Sequence, residues 1–256
     1  KISFLETFEY KFYDLRSNLR QNPKPNNDII IVEIDDTSIG NVGRWPWPRS
    51  TIANLITEIS KATPRVIGLN ILFSEPERAS GLKEIRDLKL KYTNILSEVT
   101  KTKKKYKVKN KDIYFLNTFL ADISSAEVKI DNDTILATAI SDTNNIVLPM
   151  VFELYEPLGE KPTSLPSALS RNSISDIPNS LSIQGYTPLL PLDSFAKKTV
   201  GLGHINVIPD SDGTKRKEVV LIQYRDNYYP SYATQLARIY LSIGLDDIKI
   251  QGRKTV

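Results

Sequence analysis

Two apolar, β-branched runs with a single amphipathic helix between them constrain this chain more than any other feature. Asp28 to Ile34 reads DIIIVEI and Arg65 to Phe73 reads RVIGLNILF. Runs with so little polar alternation suit strands buried on both faces, the environment of a parallel sheet. Between them Ile52, Leu55, Ile56 and Ile59 recur at helical spacing over Thr51 to Lys61, and Ser50 is placed to cap the first turn. Strand, helix and strand in that order make a βαβ unit, whose crossover is expected to be right-handed.

The remaining segments extend this pattern. Phe4, Phe8, Phe12, Leu15 and Leu19 form one stripe of an N-terminal helix, which Asn22-Pro23-Lys24-Pro25-Asn26 terminates. Gly81 to Ala121 is mostly helical and too long for an ordinary connection, so it is expected to be an inserted helical hairpin. Asp133 to Ser141 reads as a short helix and Asn145 to Phe152 as a strand. Glu156 to Pro191, rich in Pro, Ser and Asn, reads as a long surface loop with short ordered pieces.

In the last third, Gly201 to Val207, Lys217 to Tyr224 and Tyr228-Tyr229 read as strands. Pro209 to Gly213 makes a turn between the first two. Tyr232 to Ile243 is a helix with Leu236, Ile239, Tyr240 and Ile243 inward. The expected fold is α/β: a mostly parallel central sheet with helices on both faces, an antiparallel extension near the C-terminus and a long helical insertion. It is expected to form a single domain over 1–256, with an N-terminal helix at 1–20, the lysine-rich insertion at 81–121 and the long loop at 156–191.

Composition removes several kinds of chemistry. The chain has no cysteine and one histidine, His204, so thiolate sites, a cysteine nucleophile and a zinc site of several histidines are excluded. The net charge of +4 is concentrated: seven lysines and no carboxylate lie between Lys101 and Lys111, leaving 27 basic residues against 30 acidic. A nucleic-acid binder more often carries a broad basic surface with aromatics and arginines interleaved, and no nucleic-acid partner is expected. The lysine run is a solvated helix face or a contact for anionic headgroups or wall polymers. No stretch reaches the roughly 18 apolar residues of a membrane helix. The chain opens on Lys1 rather than Met, and any anchoring helices are expected outside it.

Candidate site residues gather at strand ends and turns. Asp35 and Asp36 close the first run and Asn70 lies near the end of the second, the side of an α/β sheet where ligands bind. They line a polar pocket for a small cationic or hydrogen-bonding ligand or a metal ion; alternatively Asp36 caps the next turn while Asp35 pairs with Arg44 or Arg49. Trp45 and Trp47, stiffened by Pro46 and Pro48 and flanked by Arg44 and Arg49, stack on a ligand or plug the loop onto its helix. Asp210-Ser211-Asp212-Gly213 has the opening of a calcium loop but lacks its later oxygen ligands and terminal Glu, which favours a turn. His204 is either a titrating group or a packed one. No cofactor or resident metal is expected.

The segment Ile31 to Pro76, with Gly43-Arg44-Trp45-Pro46-Trp47-Pro48-Arg49 leading into the helix, resembles the CHASE type-2 domain, a sensory extracellular family associated with cyclases and histidine kinases. Tyr13-Asp14-Leu15-Arg16, the Gly203 to Arg216 stretch (GHINVIPDSDGTKR) and Pro230-Ser231-Tyr232-Ala233 agree with the same family. In the stretch GHINVIPDSDGTKR the resemblance marks Asn206, Asp210, Asp212, Gly213 and Arg216 as a second motif. Asn70 departs from it, standing where the family usually has Asp.

The resemblance implies an extracytoplasmic sensor of a bacterial membrane receptor. It would be attached through flanking transmembrane segments, respond to a small-molecule or protein cue, and be joined to a kinase or nucleotide-cyclase output. It implies no catalysis by the domain, and a homodimer is in keeping with it. Two other readings stand beside it: a metal-dependent hydrolase using Asp35 and Asp36, and a purely structural contact module.

Overall fold

The computed structural model describes residues 3–21, 24–78, 81–156, 165–175 and 183–248. The chain divides into two compact units, residues 1–46 with 207–218, and residues 47–206 with 219–256.

The first unit holds α1 (Ser3–Leu19) and α2 (Asp36–Val42). On α1 the apolar stripe forms as its spacing predicts, but Phe8, Phe12, Leu15 and Leu19 remain largely exposed. The short α2 begins where the Asp35 carboxylate accepts the Ser38 backbone N–H at 2.8 Å and its hydroxyl at 2.6 Å. It stops at Gly43, whose φ of +118° is open to glycine and costly for other residues. The run 28–34 corrects the sequence reading: it joins no ladder, and Ile29, Ile30, Ile31 and Val32 are exposed, Ile30 by 84%. β-branched residues fit a pleated surface, but a strand exists only through the neighbour it pairs with. The expected βαβ unit therefore does not form through this run.

The second unit runs through α3 (Arg49–Ser60), β1 (Ile67–Gly68), α4 (Leu82–Tyr106), α5 (Asn110–Ile130), α6 (Asn132–Thr143) and β2 (Ile146–Phe152). It continues with α7 (Ser167–Ser170), β3 (Ile183–Gln184), β4 (Pro188–Leu189), α8 (Asp193–Ala196) and β5 (Gly201–His204). It ends with β6 (Leu221–Tyr224), β7 (Asn227–Pro230) and α9 (Tyr232–Tyr240). Of the long loop expected at 156–191, α7, β3 and β4 are the ordered pieces, and residues 157–164 and 176–182 lie outside the described residues.

The buried strand β2 organises this unit. It pairs in parallel with β1 (Ile67 opposite Ile146) and with β5 (Leu202 opposite Leu148), and antiparallel with β4 at its far end. Pro149 is tolerated in mid-strand because its nitrogen faces away from β5. On that side Leu69 N–H reaches the Val147 carbonyl at 3.1 Å and the next pairing begins only at Val151. A second sheet joins β3 in parallel to β6 and β6 antiparallel to β7. The architecture is thus mixed α/β with two small mixed sheets, and the expected sheet is present in part: β1, β2 and β5 pair in parallel, and the antiparallel β6–β7 pair lies toward the C-terminus. The second expected strand stops early for a local reason: after Leu69 the chain turns, with Ile71 N–H on the Leu69 carbonyl at 2.9 Å.

Helix packing follows the apolar stripes with shifted caps. α3 starts from Pro48, whose carbonyl accepts Thr51 N–H at 2.9 Å, and Ser50 lies inside the first turn instead of capping it. Its Ile52, Ala53 and Ile56 pack with Leu136, Ala137 and Ile140 of α6, the last helix of the β1-to-β2 crossover. α9 buries Gln235 most deeply, and Ile243, expected inward, lies beyond the helix and exposed. Gly203 has no substitute here: a Cβ would stand 2.5 Å from Tyr232 Cα and 2.9 Å from the Ser231 carbonyl oxygen, both backbone atoms. This close approach seats the start of α9 on β5.

Candidate functional site

Two arginine-centred clusters stand out, one in each unit. In the first unit Arg216 is gripped by three carboxylates. Its Nε and Nη2 donate to Asp14 of α1 at 2.8 and 2.7 Å, in a bidentate pair across 202 residues of sequence. Nη1 and Nη2 donate to Asp212 at 2.9 and 2.8 Å, and Nη1 also reaches Asp210 at 3.2 Å. The guanidinium lies 4.7 Å from the Tyr10 ring centroid. The arginine side chain is covered while Asp14 is 46% and Asp212 39% exposed, so a shielded cation meets carboxylates that remain in reach of solvent.

The turn that feeds this cluster is self-supporting. Gly213, at φ +82°, donates to the Asp210 carbonyl at 2.9 Å. Asp212 accepts the Thr214 N–H at 3.0 Å. The Arg216 hydrogen bonds hold the Asp212 carboxyl, and likewise that of Asp14, below the usual carboxylate range. The same partners push the Arg216 pKa up. The second motif therefore builds a turn that presents two aspartates to an arginine four residues on from the second of them.

Asn206, from the same motif, belongs to the other unit and has a different task. Its side-chain amide accepts Phe152 N–H at 2.8 Å and donates to the Phe152 carbonyl at 2.6 Å. It thus completes the β2 ladder where the β5 backbone turns away.

In the second unit Arg49 is buried. Its guanidinium lies 5.2 Å from the ring centroids of both Phe73 and Phe195, which meet edge to face at 5.6 Å. It donates to the Asp133 carboxylate and to the Glu75 carbonyl. Its backbone N–H binds Glu77 at 3.0 Å, Glu77 N–H returns to Asp133 at 3.2 Å, and Asn132 donates to Glu77 at 3.1 Å. One residue before Asn132, Asp131 caps α6 through Thr134 N–H and accepts Arg86 of α4 at 2.6 Å. Arg86 and Lys89 hold Glu127 of α5 at 3.1 and 2.8 Å, which keeps the Glu127 carboxyl below its ordinary range.

The residues expected to share one pocket fall into different units: Asp35, Asp36, Arg44 and Trp45 in the first, Trp47, Arg49 and Asn70 in the second. Asp35 rather than Asp36 is the cap. Its carboxyl is held low by the Ser38 hydroxyl and N–H, and Asp36 lies in the first turn of α2. Arg44 and Trp45 are exposed, Trp47 packs against the core, and Asn70 is exposed just beyond β1. Among the described residues no group of three or more His, Asp or Glu is placed to hold a metal ion.

Residues that complete the clusters but drew no site reading from the sequence are Tyr10, Asp14, Phe73, Glu77, Asp133 and Phe195. Asp14 and Phe73 carried a signal, as parts of the Tyr13-Asp14-Leu15-Arg16 stretch and of the Ile31 to Pro76 segment. His204 is buried against the Phe152 ring, and neither ring nitrogen has a hydrogen-bond partner among the described residues. Burial pulls its pKa down to about 4.

A protein-family model described as the CHASE2 domain matches residues 1–255. No curated protein and no solved structure matches the chain.

Proposed function

Since the chain belongs to the CHASE2 domain family, whose members are extracellular sensory domains, we propose that it is the extracytoplasmic sensor of a bacterial transmembrane receptor and relays its cue to a cytoplasmic kinase or nucleotide cyclase. The observation that carries this reading is the bidentate pair between Arg216 and Asp14. It ties the turn at 210–216 to α1, the helix nearest the start of the chain. A cue that displaces the turn, or competes for its aspartates, changes the hold on α1, and α1 leads toward the membrane segment this reading places before Lys1.

The cue is a small molecule or a protein, and the domain itself does no catalysis. Two copies pairing along the exposed stripe of Phe8, Phe12, Leu15 and Leu19 would suit a receptor of this kind. Among the described residues no helix is long and apolar enough to cross a membrane.

A thermal-shift screen against small metabolites, divalent ions and a pH series tests the proposal. A ligand at one hundred times its Kd adds about 2.7 kcal/mol of stability. The expected hit alters hydrogen exchange of the α1 amides, and Asp14→Asn abolishes that alteration while leaving binding in place. A hit that leaves α1 exchange unchanged in the unsubstituted chain overturns the relay.

A further inference from the structure

We propose that the tip of the α4–α5 hairpin is a docking surface for an anionic lipid headgroup layer. The two helices join through Lys107-Val108-Lys109 alone, and α4 places this tip about 30 Å along its axis from Arg86. Base and tip differ in kind. At the base, Arg86 and Lys89 are matched by Glu127 and Asp131. At the tip, seven lysines fall between 101 and 111, and the nearest carboxylate, Asp112, accepts the Lys109 backbone N–H at 3.2 Å. Lys101, Lys104, Lys107, Lys109 and Lys111 are all exposed.

Helix stability accounts for only part of this charge. Lys103, Lys104 and Lys105 stand in the last turn of α4, where a helix dipole favours cations. Lys109 occupies the N-cap position of α5 and Lys111 lies in its first turn, where the dipole disfavours them. At Lys109 and Lys111 the fold therefore carries cations where the dipole of α5 penalises them, with Asp112 the one acidic residue of that turn, a local conflict of the sort found at functional surfaces.

The adjoining turn of α5 identifies the occupant. Tyr114 and Phe115 are 68% and 57% exposed beside the lysines, and Lys111 Nζ lies 5.8 Å from the Phe115 ring centroid. Lysines with aromatic rings beside them are the composition of a segment lying at a membrane–water interface, where rings enter the headgroup level and ammonium groups meet phosphates. The tip run contains no arginine, whose planar fork is the favoured reader of individual phosphates in nucleic acids. A diffuse anionic layer needs only point charges.

The test uses the 256-residue chain and vesicles of phosphatidylcholine with or without phosphatidylglycerol. Co-sedimentation with the anionic vesicles alone is expected, weakening as salt is raised. Replacing Lys101, Lys104, Lys107 and Lys109 with Gln lowers the affinity about fivefold per lysine, on the order of several hundredfold together. The same replacement at Lys24, Lys61, Lys197 and Lys198 leaves it within the range set by their smaller local field. Melting temperature and circular dichroism monitor the fold of both variants. In Phe115→Trp the emission shifts to the blue on adding anionic vesicles, beyond any change from Trp45 and Trp47 in the unsubstituted chain. Failure to bind anionic vesicles, or equal loss in both lysine variants, overturns the proposal. So does binding to soluble polyphosphate that outcompetes vesicles with no blue shift, which would mark a polyanion site instead.

Discussion

Arg49 and Arg216 both join segments far apart in sequence, yet they are held by opposite means. Arg49 is buried against two phenyl rings, with one carboxylate and one backbone carbonyl as acceptors of its guanidinium. Its charge is paired with Asp133, and the two rings shield that pair from water. Arg216 has three carboxylates on one guanidinium, two of them well exposed, so its neighbourhood is net negative and open to ions and protons. A cluster of the first kind is a structural pin. One of the second kind adjusts to its surroundings, as a sensor requires.

The largest expected effect separates the two arginines directly. Arg49→Ala leaves the Asp133 carboxylate and the Glu75 carbonyl without the Arg49 guanidinium and opens a cavity beside the two rings. Loss of a buried pair's partner costs about 3–5 kcal/mol, to be read as a lower urea midpoint with unchanged slope. Salt should alter this loss little. A loss below about 1 kcal/mol would place Arg49 among ordinary surface ion pairs.

The next effect concerns protons, and the two units answer in different ranges. His204 has a folded pKa of about 4 against an ordinary 6.5, so the unfolded chain binds more protons between those values. Its neutral form stabilises the fold fully above pH 6.5, and that contribution falls as the pH drops toward 4. The change is about 3 kcal/mol. Asp14 and Asp212 have folded pKa values lowered below the ordinary 3.8, so their contribution is lost only as pH falls below about 4. Urea melts across this range should show both slopes. His204→Leu should flatten the one between 6.5 and 4 and leave the acid one; a slope that persists assigns it to another group.

A smaller effect divides the second motif between the units. Asn206→Ala removes both hydrogen bonds to the Phe152 backbone at a cost of about 1–3 kcal/mol. Amide exchange should rise at Phe152 while α1 stays unchanged. Exchange that rises in α1 instead would mean that Asn206 serves the Arg216 cluster.

The smallest stability change is expected for Arg216→Gln. Two of its three carboxylate partners are solvated, so the melting temperature should fall far less than for Arg49→Ala, and added salt should erase most of the difference. A salt-independent loss as large as that of Arg49 would remove the contrast between the two arginines.

Periodicity made the helices legible. The stripe from Phe4 to Leu19, the spacing of Ile52 and Ile56, and the run from Tyr232 all form helices at the expected places, because a 3.6-residue repeat is a local property. Local patterns misplaced the strands for the converse reason. DIIIVEI has the composition of a buried strand but no ladder partner among the described residues, and RVIGLNILF pairs over only Ile67 and Gly68 there. Caps shifted by a residue or two for a related reason. Asp35 and Asp36, like Pro48 and Ser50, offer adjacent or near-adjacent starting points, and the backbone path at the helix entry selects between them.

By itself the sequence determined the family, through Trp45-Pro46-Trp47-Pro48-Arg49 and the second motif, and it determined the class of fold and the concentration of charge at Lys101 to Lys111. Tertiary structure alone decided which residues share a site. Asp14 meets Arg216 across 202 residues, and Asp133 meets Arg49 across 84. A salt bridge depends on where two side chains end in space, and no spacing along the chain encodes that end point until the core has packed.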